Sequence, residues 1–246
     1  MTRSRWRHVE HCMGTVFSLD LPGDLDPAAL AAALAWLHRM DAVFSTYRAD
    51  SDISRLDRGE IALADCAGEV GPILALCESL RESTDGYFDA YAGGRLDPSG
   101  LVKGWAIEGL HQRLIEAGSR RHHVNGGGDI RCTAAETDPP WRFGIADPLR
   151  PCQLAAVVAG TDFALATSGT AERGQHILDP HTGQAPRGLA SICLIGASMT
   201  MTDALATAAF ARGLDAQSWV AGLDGVEAYA TTEDGGHWAT AGFPFA

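Results

Sequence analysis

Lysine is almost missing: of 19 basic residues in 246, one is a lysine, Lys103, and the rest are arginines. Clustered positive charge is missing too, since no Lys/Arg group exceeds pairs such as Arg120-Arg121 and the net charge is −12. Nonspecific nucleic-acid binding needs many cations on phosphates, so that function class is excluded as an expectation. No long apolar run is present, the stretch from Ala28 to Leu37 being too short and alanine-rich to cross a bilayer, so no membrane insertion is expected. The N-terminal arginines have no apolar segment behind them, which reads as no export signal. The six cysteines (Cys12, Cys66, Cys77, Cys132, Cys152 and Cys193) have neither C-x-x-C nor zinc-finger spacing, and they read as reduced thiols of a cytoplasmic protein. Also absent are G-x-G-x-x-G, G-x-S-x-G and H-E-x-x-H, which removes the grounds for a Rossmann dehydrogenase, a serine hydrolase or a zinc peptidase.

What is present is a chain with 46% hydrophobic residues, enough for a sizeable core. Asp26-Pro27 reads as an N-cap and first helical residue, and Leu30, Ala33, Leu34, Leu37 and Met40 continue at helical spacing to about residue 43. Helical periodicity recurs around Ile73 to Leu80, from Ser99 to Gly118, and from about Thr200 to Gly213. Strand-like segments run from His122 to Val124, Asp129 to Thr133, Trp141 to Ile145, Leu154 to Val158, Ala190 to Ile195 and Val226 to Thr231. The last of these turns through Glu233-Asp234-Gly235-Gly236 into His237 to Ala241. Strands in runs between a few helices predict an α+β fold with a largely antiparallel sheet. No repeat or convincing linker appears, so residues 1–246 are expected to form a single domain.

Four features carry chemistry. Lys103 lies between Gly100 and Gly104 in a first helical turn, where a compact ammonium with three donors suits an anionic ligand. Asn125-Gly126-Gly127-Gly128-Asp129 supports either a tight hairpin turn or a loop whose N–H groups surround a ligand. Asp203 and Thr207, four residues apart on a helix, present two hard oxygen donors suited to Mg²⁺, while Thr200 and Asp203 also read as a capping box. His176, before Ile177, is a candidate to orient a ligand or move a proton.

Taken in order, M-G-T at 13–15, F-S-T-Y-R at 44–48, S-D-I-S at 51–54, G-Y-F-D at 86–89, D-P-S-G-L-V-K-G-W-A from Asp97, V-N-G-G-G-D-I from Val124, T-S-G, H-I-L-D-P-H-T-G and T-D-A-L-A-T resemble the FAD:protein FMN transferases, the ApbE family. The resemblance covers about residues 13 to 213. It implies a transferase that splits FAD, releases AMP and joins FMN through a phosphodiester to a Thr or Ser hydroxyl of an acceptor protein. An FAD pyrophosphatase and a non-catalytic FAD-binding protein are the alternatives.

By the same resemblance, Met13, Tyr47, Tyr87, Phe88, Asp89 and Asp97 hold the adenine and ribose side. The position of Lys103 lies near the bound flavin nucleotide, and His176 with Ile177 contacts the flavin end; Lys103 and the glycine-rich loop of Asn125, Gly126 and Gly127 are then expected to neutralise or position phosphate and ribose. Asp203, Thr207 and the carbonyl of Gly100 match ligands of Mg²⁺, with Mn²⁺ as the alternative ion; the transfer also needs a proton acceptor, for which His176 and Asp203 are both expected candidates. This chain departs from the family at Gly100, which has no side chain, at Thr200, where some relatives carry an acidic ligand, and at Thr170, where Asp is common. The stretch from Asp89 to Asp97 is also short, and many relatives are exported.

Overall fold

The computed structural model describes residues 5–170 and 177–246. Two strands, β1 (Arg5–Cys12) and β2 (Thr15–Pro22), lead into helix α1 (Pro27–Phe44) and the short α2 (Asp52–Asp57). Helices α3 (Val70–Ser83) and α4 (Ser99–Glu116) follow. Then come β3 (His122–Gly126), β4 (Asp129–Thr133), β5 (Trp141–Ala146), β6 (Leu154–Gly160), β7 (Phe163–Gly169) and β8 (Leu189–Gly196). The chain closes with α5 (Met199–Arg212), α6 (Ala216–Val220), β9 (Glu227–Thr232) and β10 (His237–Ala239).

Eight strands form one sheet in the order β1-β2-β3-β4-β7-β8-β9-β10, and β5 and β6 form a separate ribbon. Every pairing between these strands is antiparallel, so the expected α+β class holds. Antiparallel neighbours can be joined by short turns. At β3–β4 this turn is Gly127-Gly128, with φ of 61° and 95° and Gly126 paired to Asp129. Two consecutive positive φ values are the signature of a two-residue hairpin, and glycine reaches them without a Cβ penalty.

The sheet lies between two apolar layers. On one face Phe17, Leu19, Val124, Ala166, Ile192 and Leu194 pack against Leu30 and Leu37 of α1, Ile107 and Leu110 of α4, and Ala206 and Phe210 of α5. On the other face Ile130, Cys132, Leu165 and Cys193 meet Trp141, Ile145 and Val158 of the ribbon. Strand β8 contributes to both layers, which is why its sequence, LASICLIG, is apolar without alternation. The α1 stripe Leu30, Ala33, Leu37, Met40 and Phe44 is buried at helical spacing, and each fully buried large side chain contributes about 1.5–3 kcal/mol. Asp26 starts that helix by accepting from the Ala28 amide at 2.9 Å. A further cluster joins α1, α3 and α4 through Met40, Ile73, Leu80 and Leu101 to Phe88 and Ala204.

Candidate functional site

Helix α4 crosses α5 at Gly104. A Cβ there would stand 2.6 Å from Asp203 Cβ and 2.7 Å from the Met199 carbonyl oxygen, so only glycine lets the helices approach this closely. The close approach brings Lys103, the neighbouring residue of α4, to Asp203 of α5. Its Nζ donates to Oδ1 at 3.0 Å and lies 3.0 Å from Oδ2. The same ammonium pairs with Asp129, the first residue of β4, which the Gly127-Gly128 turn delivers. Asp129 is 2% exposed, and its Oδ1 accepts from the Thr167 amide of β7 at 2.8 Å. Two buried carboxylates therefore share one lysine, a local formal charge of −1 that favours a further cation.

These groups line a cleft of about 440 Å³, within the roughly 300–1,000 Å³ typical of small-molecule sites. Tyr87, Phe88 and Asp89 precede α4 on one wall, with Asp97, Gly100 and Lys103 beside them. Asn125 and Gly127 come from the hairpin, Ile177 from the segment that precedes β8, and Asp203 and Thr207 from α5. Asn125 Oδ1 accepts from the Gly128 amide at 3.1 Å, which fixes the turn. The glycine run is thus both a tight hairpin and part of the cleft. Tyr87 is held by two neighbours: its ring lies 4.5 Å from that of His181, edge to face, and the Arg212 guanidinium of α5 sits 4.3 Å from its centroid. Arg212 also donates to the Thr84 carbonyl at 2.8 Å, tying the aromatic wall to the end of α5.

Other expected site residues stand elsewhere. Tyr47, between α1 and α2, is 97% exposed and does not line the cleft. Met13 occupies the β1–β2 turn with φ of 53° and packs against the apolar layers. Gly126 lies inside β3, where a Cβ would meet Ile107 at 2.9 Å. His176 falls outside the described residues. The Thr200–Asp203 capping box does not form: α5 begins at Met199, and Asp203 points at Lys103 instead.

Sequence reasoning did not single out Asp129, although the acid ending a glycine run was visible. It also gave no role to Ser191 or the β5 end at Ile145 to Pro148, which line the cleft because β5–β6 folds over the sheet, whereas Ser168 of the T-S-G motif lines it too.

A hard dication fits this donor set. Asp203 Oδ2 is buried and has no hydrogen-bond partner, its separation from Lys103 Nζ being off the hydrogen-bonding direction. Across from it, Gly100 abuts Thr207, a Cβ on Gly100 falling 3.7 Å from Thr207 Oγ1. Among the described residues no three His, Cys, Asp or Glu side chains gather as metal ligands. Such a site would draw on carbonyl, hydroxyl, water and substrate oxygens, the habit of Mg²⁺.

Comparison with known proteins gives the family and the shared fold. The model of the ApbE family matches residues 13–94 and 90–230. The FAD:protein FMN transferase of Rhodobacter capsulatus is 28% identical over 227 residues, covering 89% of this chain and 41% of that protein. The Vibrio cholerae protein of the same name is 30% identical over 129 residues, covering 48% of this chain and 39% of that protein. The chain therefore spans about two fifths of the length of these curated relatives. The crystal structure of the ApbE protein from Thermotoga maritima superposes with a TM-score of 0.88 at 21% identity, covering 97% of both chains. The flavin transferase ApbE from Vibrio cholerae does so at 0.84 and 20% identity, covering 98% of both, and these likenesses show the shared fold.

Proposed function

The chain belongs to the ApbE family, and from that premise we propose that it is a single-domain FAD:protein FMN transferase, moving FMN from FAD to a Thr or Ser hydroxyl of an acceptor protein and releasing AMP. The observation that carries this reading is the convergence of Lys103, Asp129 and Asp203 in a cleft that is also lined from the G-Y-F-D, D-P-S-G, N-G-G-G-D and T-S-G motifs.

In the proposed reaction the acceptor oxygen attacks the FMN-side phosphorus. The bond from that phosphorus to the bridging oxygen breaks, its electron pair leaves with AMP, and the hydroxyl proton passes to a base. Lys103 offers its remaining donor capacity to phosphate oxygens while Asp129 and Asp203 hold it in place. Tyr87 and Phe88 supply an apolar wall for a flat ring, and Asp89 and Asp97 accept from sugar or base donors. Asn125 shapes the hairpin so that Gly127 meets the nucleotide. Ile177 lies toward the isoalloxazine. Mg²⁺ or Mn²⁺, held by Asp203, Thr207 and the Gly100 carbonyl, would supply Lewis-acid and template chemistry at the pyrophosphate. Asp203 or His176 accepts the proton.

Incubation with FAD and Mg²⁺, with and without a candidate acceptor protein, tests this by chromatography of AMP. Acceptor-dependent AMP release supports transfer. Release without acceptor indicates a pyrophosphatase, and tight FAD binding with no AMP in either arm indicates a binding protein; both contradict the proposal. Among the described residues no helix is long and apolar enough to cross a membrane.

A further inference from the structure

Helix α5 begins without a cap of its own: Ser198, its N-cap residue, makes no side-chain capping bond. The first four amides of a helix have no intrahelical partner, so a buried start needs an acceptor from elsewhere. That acceptor is Glu108 of α4. Its Oε2 takes the Met199 amide at 2.6 Å, a charge-assisted bond between residues 91 apart in sequence, with the carboxylate at the positive end of the α5 dipole.

The arrangement around Glu108 mirrors the one around Lys103. Asp129 and Arg131 stand two apart on β4, a spacing that puts both side chains on one face of the sheet. Asp129 pairs with Lys103, which reaches Asp203 of α5; Arg131 Nε lies 3.6 Å from Glu108 Oε2, which reaches the Met199 amide of α5. Two three-part connections of reversed charge thus run from β4 through α4 to the first turns of α5, one on either side of the Gly104 crossing. Arg131 is 7% exposed and is itself anchored by the Asp162 carboxylate, so the Glu108 end is fixed from behind.

We propose that Glu108 is a positioning residue of the site: by capping α5 from α4 and bracing against Arg131, it sets where Asp203 and Thr207 stand relative to Lys103. The proposal rests on the site reading above and makes no claim that Glu108 touches substrate. A carboxylate one helix away from the ligand helix acts as outer-shell partners of metal sites do, whose loss typically weakens affinity by about 10–100-fold.

The test compares Glu108→Ala and Glu108→Gln with the wild type by hydrogen exchange and by calorimetric titration of Mn²⁺ and Mg²⁺, with Asp203→Asn as reference. Gln keeps an acceptor oxygen, so it should retain slow exchange at Met199 and bind metal within roughly threefold of wild type. Ala should speed exchange across residues 199–202 by about tenfold, the size expected for losing a charged hydrogen bond, and weaken metal binding by at least about tenfold. Unchanged exchange and affinity in Glu108→Ala, or equal impairment in Glu108→Gln, would overturn the proposal. If wild type and Asp203→Asn bind metal alike, the metal reading is what fails. The exchange arm, which needs no ligand, then decides on Glu108: the proposal stands if Ala alone frees the Met199 amide and falls if it does not.

Discussion

Gly104→Ala sets two effects of known size against each other. In a helix interior Ala is favoured over Gly by about 0.8–1.0 kcal/mol, so propensity alone predicts a more stable protein. Against it stands the added methyl, 2.6 Å from Asp203 Cβ, 2.7 Å from the Met199 oxygen and 2.9 Å from Asp203 Oδ2. Two of these neighbours are a backbone atom and a Cβ, which move only if α5 moves. Overpacking costs about 1–3 kcal/mol, and with a Cβ and a backbone oxygen as the neighbours the upper part, about 2–3 kcal/mol, applies, which leaves a net loss of about 1–2 kcal/mol. At roughly 2–4 °C per kcal/mol for a chain of this size, the thermal midpoint should fall by about 2–8 °C. Activity should fall further than stability, because α5 carries Asp203 and a misplacement of about 1 Å can cost 100-fold. Calorimetric melting and FAD-dependent AMP release on the same preparation measure both. A raised midpoint with unchanged AMP release would refute the proposed crossing.

Lys103→Met leaves Asp129 and Asp203 facing each other without their shared cation, and breaking a buried pair costs about 3–5 kcal/mol. The metal-free midpoint should drop by roughly 6–20 °C, and added Mg²⁺ should restore more of it in the variant than in the wild type; identical melting of the two proteins would contradict this. A second expectation concerns pH. His111 Nδ1 and His122 Nε2 are 3.0 Å apart, and Ser119 lies 2.8 Å from His122 Nδ1. Burial is the main cause that holds both imidazoles well below the ordinary histidine value, followed by Arg131 for His111 and by His111 for His122. Groups with folded values depressed in this way stay neutral in the fold and take up protons on unfolding. Their stability contribution is present above about pH 6.5 and is lost as pH falls toward the folded values, by up to about 1.4 kcal/mol per unit for each histidine. Melting between pH 7 and 5 should show a falling midpoint that His122→Asn flattens, and a flat wild-type profile would exclude the effect.

Much of the fold was legible because local signals agreed. The Asp26-Pro27 start, the Leu30-to-Met40 stripe and the stop at Gly213 give α1 and the end of α5, and the Glu233–Gly236 turn gives the β9–β10 hairpin. Strand β7 was not foreseen: FALATSG lies mid-sheet, so it carries no polar alternation, and T-S-G draws attention as a motif instead. The six-residue α2 is too short for periodicity, though Ser51 caps it by accepting from the Ser54 amide at 3.1 Å. For the site, the sequence placed Lys103, Asp203 and the glycine run but not their meeting, which depends on the Gly104 crossing and on strand register. Thr200 and Asp203 looked like a local cap because spacing is all a sequence displays, whereas the actual cap comes from Glu108 on another helix. Tyr47 sat in an ordered motif yet projects into solvent, since nothing in its neighbours encodes which way the α1–α2 turn faces.

The central claim is that Asp203 stands at the reacting end of a flavin-transfer site. Intact-mass spectrometry of an acceptor protein, after incubation with FAD, Mg²⁺ and either wild type or Asp203→Asn, tests it most directly. Asn retains the size and a hydrogen-bond acceptor for Lys103, which keeps its pair with Asp129, but it is a poorer ligand for a hard dication. The account predicts an acceptor heavier by FMN less water with the wild type, and little or none with a variant that still melts as a folded protein. Full modification of the acceptor by folded Asp203→Asn at the same Mg²⁺ concentration would contradict it.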